Sequence, residues 1–323
     1  MITSVLLFAV GLVLLIKGGD WFVDGATGIA KRFNLPDIVV GATVVSIGTT
    51  LPEVMVSTAG ALAGSGAMAY GNAIGSIICN TALIAAISIT CNPGPVNVKS
   101  MKTPAIFFFC AAAIYCIAAY ALGTFPRWLG FVMLTVFVIY MIMTVRNGLK
   151  NPDAVTEEEE GGKEKKLWQE LLMLVVGAAV IAVGADLLVD HGQIIARELG
   201  VPETVIALLF VALGTSLPEL VTTITSLKKG RASLGVGNVI GANIFNLVLV
   251  SGVAVSLAPF DVPVENELLN TGLNLSLVFD IPVMLLVMSL MIFPALATKK
   301  LGRWQGILLL GIYAAFCVCQ FIL

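Results

Sequence analysis

Val45-Ser46-Ile47-Gly48-Thr49-Thr50-Leu51-Pro52-Glu53 returns 166 residues later as Val211-Ala212-Leu213-Gly214-Thr215-Ser216-Leu217-Pro218-Glu219. Both copies lie inside long apolar stretches, and each ends on a glutamate placed behind a proline. A carboxylate at bilayer depth costs roughly 2.5–3.5 kcal/mol even on lenient insertion scales. Carrying that penalty twice points to cation handling rather than packing. The same offset holds without a gap over a wider span. Asp20 and Asp24 reappear as Asp186 and Asp190, Pro36-Asp37 as Pro202-Glu203, and Gly71-Asn72, Ile74-Gly75 and Asn80 as Gly237-Asn238, Ile240-Gly241 and Asn246. Residues of about 18–80 and 184–246 are therefore two copies of one unit.

With 58% hydrophobic residues, 12% charged residues and a mean hydropathy of +1.00, the chain is not a soluble globular protein. Ten apolar stretches are long enough to cross a bilayer, at about 3–29, 37–62, 71–91, 104–122, 126–145, 168–190, 202–226, 235–257, 274–295 and 304–322. They are continuously apolar, which excludes the alternating strands of an outer-membrane barrel. The expectation is an all-α polytopic membrane protein divided into a five-helix unit at 1–147, a linker at 148–167 and a second five-helix unit at 168–323. The Asn151–Lys166 segment, with its run of Glu157 to Glu160, reads as a solvated loop rather than a loose calcium site.

Basic residues set an orientation. With the N-terminus outside, inside loops hold fifteen Lys and Arg residues, among them Arg32, Lys99, Arg146, Lys166, Lys229, Arg231 and Arg303, and outside loops hold two, Arg127 and Arg197. Both termini are expected outside a prokaryotic cell membrane and the linker in the cytoplasm. The start lacks a basic n-region and a small-residue cleavage site, so the first span reads as retained. Of the six cysteines, only Cys317 and Cys319 are closely spaced, and all read as small apolar filler.

Glu53 falls in the second span and Glu219 in the seventh, so the motif helices cross in opposite directions. That is an inverted-topology repeat, an architecture of secondary transporters with the substrate site where the repeats meet. Pro52 and Pro218 lack an N–H and clash with the carbonyl four residues back, those of Gly48 and Gly214. Each motif helix is expected to break there and free the carbonyls of Ser46–Gly48 and Ala212–Gly214. Thr49 and Thr50 precede Glu53 by four and three residues and share its helical face, as Thr215 and Ser216 do for Glu219. Asn72, Ser76 and Asn80 form one stripe of the third span, repeated as Asn238, Ala242 and Asn246. Gly71 with Gly75, and Gly237 with Gly241, read as close-packing surfaces. Asp20, Asp24, Asp186 and Asp190 lie toward span ends, Asp20 at pairing distance from Lys17, and stay outside the proposed ligand set. The pooled donors are oxygens, without thiolate or imidazole. They suit calcium and sodium, argue against zinc, copper or iron, and disfavour magnesium, which keeps its waters.

The stretches Gly41 to Glu53 and Gly71 to Ser76, with their second copies, resemble the α-repeats of the cation/calcium exchanger superfamily, most closely its prokaryotic sodium/calcium exchanger branch. The ten-span layout extends the resemblance over essentially the full length. It implies exchange of calcium for sodium, or in some branches protons, with Glu53 and Glu219 as central calcium carboxylates and Thr49 and Thr215 beside them. It also implies flanking sodium sites from Ser46, Thr50, Ser76, Ala212 and Ser216, Ser46 and Ala212 through carbonyls, with Asn80 and Asn246 bordering the centre. In that family the first and sixth helices are thought to slide across the remaining bundle. Some prokaryotic members carry an aspartate where Asn246 stands here and a serine in place of Ala242, so this chain offers two formal negative charges.

The leading expectation is an alternating-access antiporter that moves calcium against sodium within a lipid bilayer. It needs no cofactor beyond the transported ions, no nucleic acid and no protein partner. A calcium/proton antiporter on the same fold is the nearest alternative. A channel is disfavoured by the inverted repeat, and an enzyme by the lack of His-Glu-x-x-His, Gly-x-Ser-x-Gly or P-loop patterns.

Overall fold

The computed structural model describes residues 2–150, 166–200, 214–262 and 274–322. Helices dominate it: α1 (Ile2–Arg32), α2 (Asp37–Thr49), α3 (Leu51–Leu62), α4 (Gly66–Cys91), α5 (Val98–Leu122), α6 (Arg127–Lys150), α7 (Leu167–Glu198), α8 (Leu217–Lys228), α9 (Ala232–Leu257), α10 (Ser276–Thr298) and α11 (Arg303–Ile322). The protein is an all-α polytopic membrane protein.

Seven of these helices, together with the bent pair α2–α3, are long and apolar enough to span a membrane, which makes eight. The expected count of ten is not reached among the described residues. The span expected at 202–226 is described only from Gly214 onward, and α11 opens on the polar Arg303 and Gln305. Helix α6 continues to Lys150, and most of the expected linker, 151–165, lies outside the described residues.

The longest packed pair is α1 with α7. A Cβ on Gly11 would lie 2.9 Å from the Gly184 carbonyl, on Gly18 2.9 Å from the Ile181 nitrogen, and on Gly25 2.6 Å from the Glu170 carbonyl. As α1 advances, its partner's numbering falls, so the two helices are antiparallel. They are also repeat mates, since Gly18 and Asp20 correspond to Gly184 and Asp186. This is the opposite crossing that the odd spacing of spans predicts.

The α2–α3 span is bent by 46°. The bend sits at Thr50, ahead of Pro52 in the first turn of α3, and α8 begins the same way, with Pro218 in its first turn after Ser216. The Ser46 carbonyl, expected to be free, instead accepts the Thr50 N–H at 3.0 Å. The Ala212 carbonyl, its mate, lies outside the described residues, while the Thr50 and Ser216 carbonyls accept the Val54 and Leu220 N–H groups at 3.1 and 3.0 Å. Proline removes only its own N–H, so the Gly48 carbonyl is the one that loses its usual helical donor.

Helices α4 and α9 form the centre, and their side chains are largely buried. Each contains a π-helical turn, Asn80–Ala85 in α4 and Asn246–Val250 in α9, at repeat-related positions. Such turns shift the helical register and recur at functional sites. Helix α2 lies along α9 in the same direction. A Cβ on Gly41 would meet the Leu234 carbonyl, on Gly237 the Ile38 carbonyl, and on Gly241 the Ala42 Cα at 2.6 Å. The glycine pair of the second copy thus serves the expected close approach. For Gly71 and Gly75 the repeat-related partners, 204 and 208, lie outside the described residues, and no described residue comes within 4 Å of a Cβ there.

Two short antiparallel strand pairs tie the loops. Gly94–Pro95 (β1) pairs with Lys300–Leu301 (β4), and Thr124–Phe125 (β2) with Phe260–Asp261 (β3). The first pair joins the α4–α5 and α10–α11 turns at the end of the bundle that also carries Arg32, Lys229 and Arg231. The second joins turns at the opposite end. Each therefore links loops that the odd–even alternation of ten spans assigns to one side.

Replacing Gly237 by Ala is expected to destabilise the protein by about 1–3 kcal/mol, because the opposing group is backbone that cannot rotate away. Gly311→Ala, where no described atom lies within 4 Å, is expected to leave the thermal midpoint in detergent unchanged or slightly higher.

Candidate cation site at the repeat interface

Both glutamates occupy the first turn of a helix, Glu53 in α3 and Glu219 in α8, where the positive end of the helix dipole favours an anion. The π-helical turns of α4 and α9 open on Asn80 and Asn246. Thr50, Glu53, Asn80, Glu219 and Asn246 are each 0% exposed and Ser216 1%. These residues form three pairs related by the 166-residue offset: Thr50 with Ser216, Glu53 with Glu219, and Asn80 with Asn246.

Among the described residues, both oxygens of Glu53 and of Glu219, Thr50 Oγ1 and Ser216 Oγ, and the amide oxygen and nitrogen of Asn80 and Asn246 have no hydrogen-bond partner. An unsatisfied buried polar group costs about 1–3 kcal/mol, and more when charged. The two carboxylates are near enough for their charges to repel, and the Thr49 and Thr50 hydroxyls lie beside Glu219 across the repeat interface. Oxygens of this kind, carboxylate, hydroxyl and amide, are the ligands that hard cations take. Among the described residues no cluster of three or more His, Cys, Asp or Glu side chains is placed to hold a metal, so any ion here rests on two carboxylates and neutral oxygens.

The remaining expected ligands sit around this core. Thr49 is buried and donates to Asn238 Oδ1 at 3.1 Å. Thr215 donates to Asn72 Oδ1 at 3.3 Å. Ser76 is buried one turn before Asn80. The Ser46 hydroxyl is committed elsewhere, to the Gly41 carbonyl at 2.8 Å and the Asn238 carbonyl at 2.9 Å. Ala212 lies outside the described residues.

Two residues went unassigned from sequence. Asn238 accepts from Thr49 and donates to Thr222 Oγ1 at 3.0 Å. Asn72 accepts from Thr215 and donates to Ser57 Oγ at 2.8 Å. Each thus holds a threonine of the opposite repeat, which orients Thr49 and Thr215. Their place in the four-residue stripe with Asn80 and Asn246 was the available signal, but spacing alone shows no partner. Asp20 and Asp24 are also resolved. Lys229, not Lys17, is their cation, at 3.6 Å from Asp20 Oδ1 and 2.6 Å from Asp24 Oδ1.

The family model described as sodium/calcium exchanger protein matches residues 3–146 and 170–322. The chain belongs to the sodium/calcium exchanger protein family. Among its relatives, the membrane protein MJ0091 of Methanocaldococcus jannaschii is 35% identical over 309 residues, covering 95% of this chain and 94% of the relative. The sodium/calcium exchanger MaX1 of Methanosarcina acetivorans is 29% identical over 356 residues, covering 98% of each. The fold is also that of the solved sodium-calcium exchanger NCX_Mj, with a TM-score of 0.78, 32% identity and 97% of each chain covered. The two matched segments of the family model fall one on each half of the chain, in keeping with the internal repeat.

Asn238→Ala removes the acceptor of Thr49 and the donor to Thr222, and is expected to destabilise the protein by about 1–3 kcal/mol. Calcium affinity in isothermal titration is expected to fall as well, because Thr49 loses the bond that orients it.

Proposed function

We propose that this protein is a secondary antiporter that exchanges calcium for sodium across a prokaryotic cell membrane by alternating access. The observation that carries the proposal is the set of three repeat-related pairs of buried, unpartnered oxygen-bearing side chains, Thr50/Ser216, Glu53/Glu219 and Asn80/Asn246. The family relatives named as sodium/calcium exchangers support the choice of ions.

In this reading Glu53 and Glu219 hold calcium between the two halves, with Thr49 and Thr215 adding oxygens. Thr50, Ser76 and Ser216 serve sodium, together with the backbone near Ser46 and Ala212. Asn80 and Asn246 close the centre. Two carboxylates neutralise one calcium, so sodium beyond the second rests on neutral oxygens, and exchange of three sodium ions for one calcium moves net charge. The work is ion binding and movement, without covalent chemistry. The halves are 1–147 and 168–323. The end of the bundle rich in Lys and Arg faces the cytoplasm by the positive-inside rule, which puts both termini outside and the 148–167 linker inside.

The test is calcium uptake into proteoliposomes under an imposed sodium gradient. Uptake is expected to cease when choline replaces sodium at fixed pH. Undiminished uptake without sodium, driven by a proton gradient, would replace this reading with calcium/proton exchange. Glu53→Gln and Glu219→Gln are expected to fold, since the amide matches the carboxylate in size, and to reduce calcium flux to background. Normal flux in both variants would remove these residues from the site. A cysteine introduced at 151–166, in a background without the native cysteines, is expected to react with an impermeant thiol reagent only from the cytoplasmic side.

A further inference from the structure

Among the described residues, three ion-paired cations sit at the basic end of the bundle. Arg32 Nε meets Glu170 Oε2 at 3.0 Å, Arg231 Nη1 meets Asp37 Oδ1 at 3.1 Å, and Lys229 Nζ meets Asp24 Oδ1 at 2.6 Å. Lys229 also donates to the Asp20 carbonyl at 3.0 Å and lies 3.6 Å from its carboxylate. Of the three cations, Lys229 is the one that joins α1 to the end of α8, the helix that carries Glu219.

That junction is closed. A Cβ on Gly19 of α1 would lie 2.8 Å from Val221 Cγ1 and 2.9 Å from Thr225 Oγ1, both on α8. The repeat-related junction, between α7 and α3 at the opposite end, has no comparable packing. Met55, which corresponds to Val221, is 71% exposed. The two halves thus differ in conformation: the bundle is shut where α1 meets α8 and parted where α7 meets α3.

In an inverted repeat the other access state arises when the halves exchange conformations, and a contact between two residues then re-forms between their repeat mates. Two identical halves would give two states of equal energy. Here Asp20 and Asp24 have acidic mates in Asp186 and Asp190, but the mate of Lys229 is Ala63. Among the described residues Asp186 and Asp190 form no ion pair. Shutting the opposite end would bring this acidic pair against a methyl group, while the Lys229 contacts are lost.

We propose that Lys229, clasping Asp20 and Asp24, is a one-sided latch that biases the protein toward the state closed at the basic end and open at the other. The inference rests on the alternating-access reading above. A latch on one side only means that the ion-free protein waits with its site facing away from the basic end, and that inward opening must first break these contacts. Because the side chains are partly exposed, 29% for Lys229 and 43% for Asp24, the bias is modest and sensitive to ionic strength.

The experiment places spin labels at Lys31→Cys and Ser233→Cys, both at the basic end, in full-length protein without its native cysteines. Distances are read by pulsed electron paramagnetic resonance in liposomes containing choline chloride and neither sodium nor calcium. A short distance is expected to dominate. Lys229→Met is expected to raise the ratio of long to short distances by roughly two- to fivefold. Concentrated choline chloride is expected to do the same without that substitution and to add little once Lys229 is gone. Ala63→Lys, which supplies the missing cation opposite Asp186 and Asp190, is expected to raise the long-distance fraction with Lys229 in place. If Lys229→Met does not fold, Ala63→Lys decides. Distance distributions unchanged by every variant that folds overturn the latch. Sodium-driven calcium uptake, measured in parallel liposomes of the unsubstituted protein, tests the exchange reading separately, since its failure leaves the distance result intact.

Discussion

Two carboxylates lie close enough to repel one another in the buried interior of this protein, and much of the fold around them follows from that repulsion. Glu53 and Glu219 are fully buried, near enough to interact, and without a hydrogen-bond donor among the described residues. Like charges held together without a counter-charge are unfavourable. A protein that keeps such a pair in place needs rigid backbone to hold it and a cation to offset it. The rigidity comes from the glycine-mediated approach of α2 to α9, where backbone meets backbone and little can yield.

Proline has two roles here. It ends the hydrogen-bond ladder, so that α2 and α3 meet at a 46° bend, and it starts a new helix whose first turn carries the glutamate. The N-terminal end of a helix favours negative charge. A continuous helix would have placed Glu53 mid-span, with no dipole end to favour the anion. The π-helical turns that open on Asn80 and Asn246 add buried amides at repeat-related positions. Asn72 and Asn238 then cross-brace the halves, each gripping the threonine of the opposite repeat. The consequence is that neither half completes a site alone.

The departures from symmetry carry separate meaning. The core positions repeat as Glu and Glu, Asn and Asn, or Thr and Ser, which lets one site serve both access states. At the periphery the acids Asp20 and Asp24 repeat as Asp186 and Asp190, but the cation that pairs with the first two does not, since Ala63 stands at the mate of Lys229. Symmetry at the centre keeps binding chemistry similar in the two states, whereas asymmetry at the ends sets their relative populations.

Much of this was legible in the chain itself. The unbroken 166-residue register identified the repeat, its odd span spacing set the opposite crossing, and carboxylates behind prolines in apolar sequence marked the site. These are local or periodic properties, and hydropathy and covalent geometry suffice to read them. Partners across the repeat interface were a different matter. Lys17 lay at the right helical spacing from Asp20, yet Lys229, more than two hundred residues away, takes it. The Ser46 carbonyl looked free from the position of Pro52, yet Thr50 donates to it because only the proline's own N–H is missing. Asn72 and Asn238 gave no sign of whom they would bind. Such pairings depend on which faces meet when antiparallel helices pack, and that is decided by the tertiary structure, where burial leaves each polar group few partners within reach.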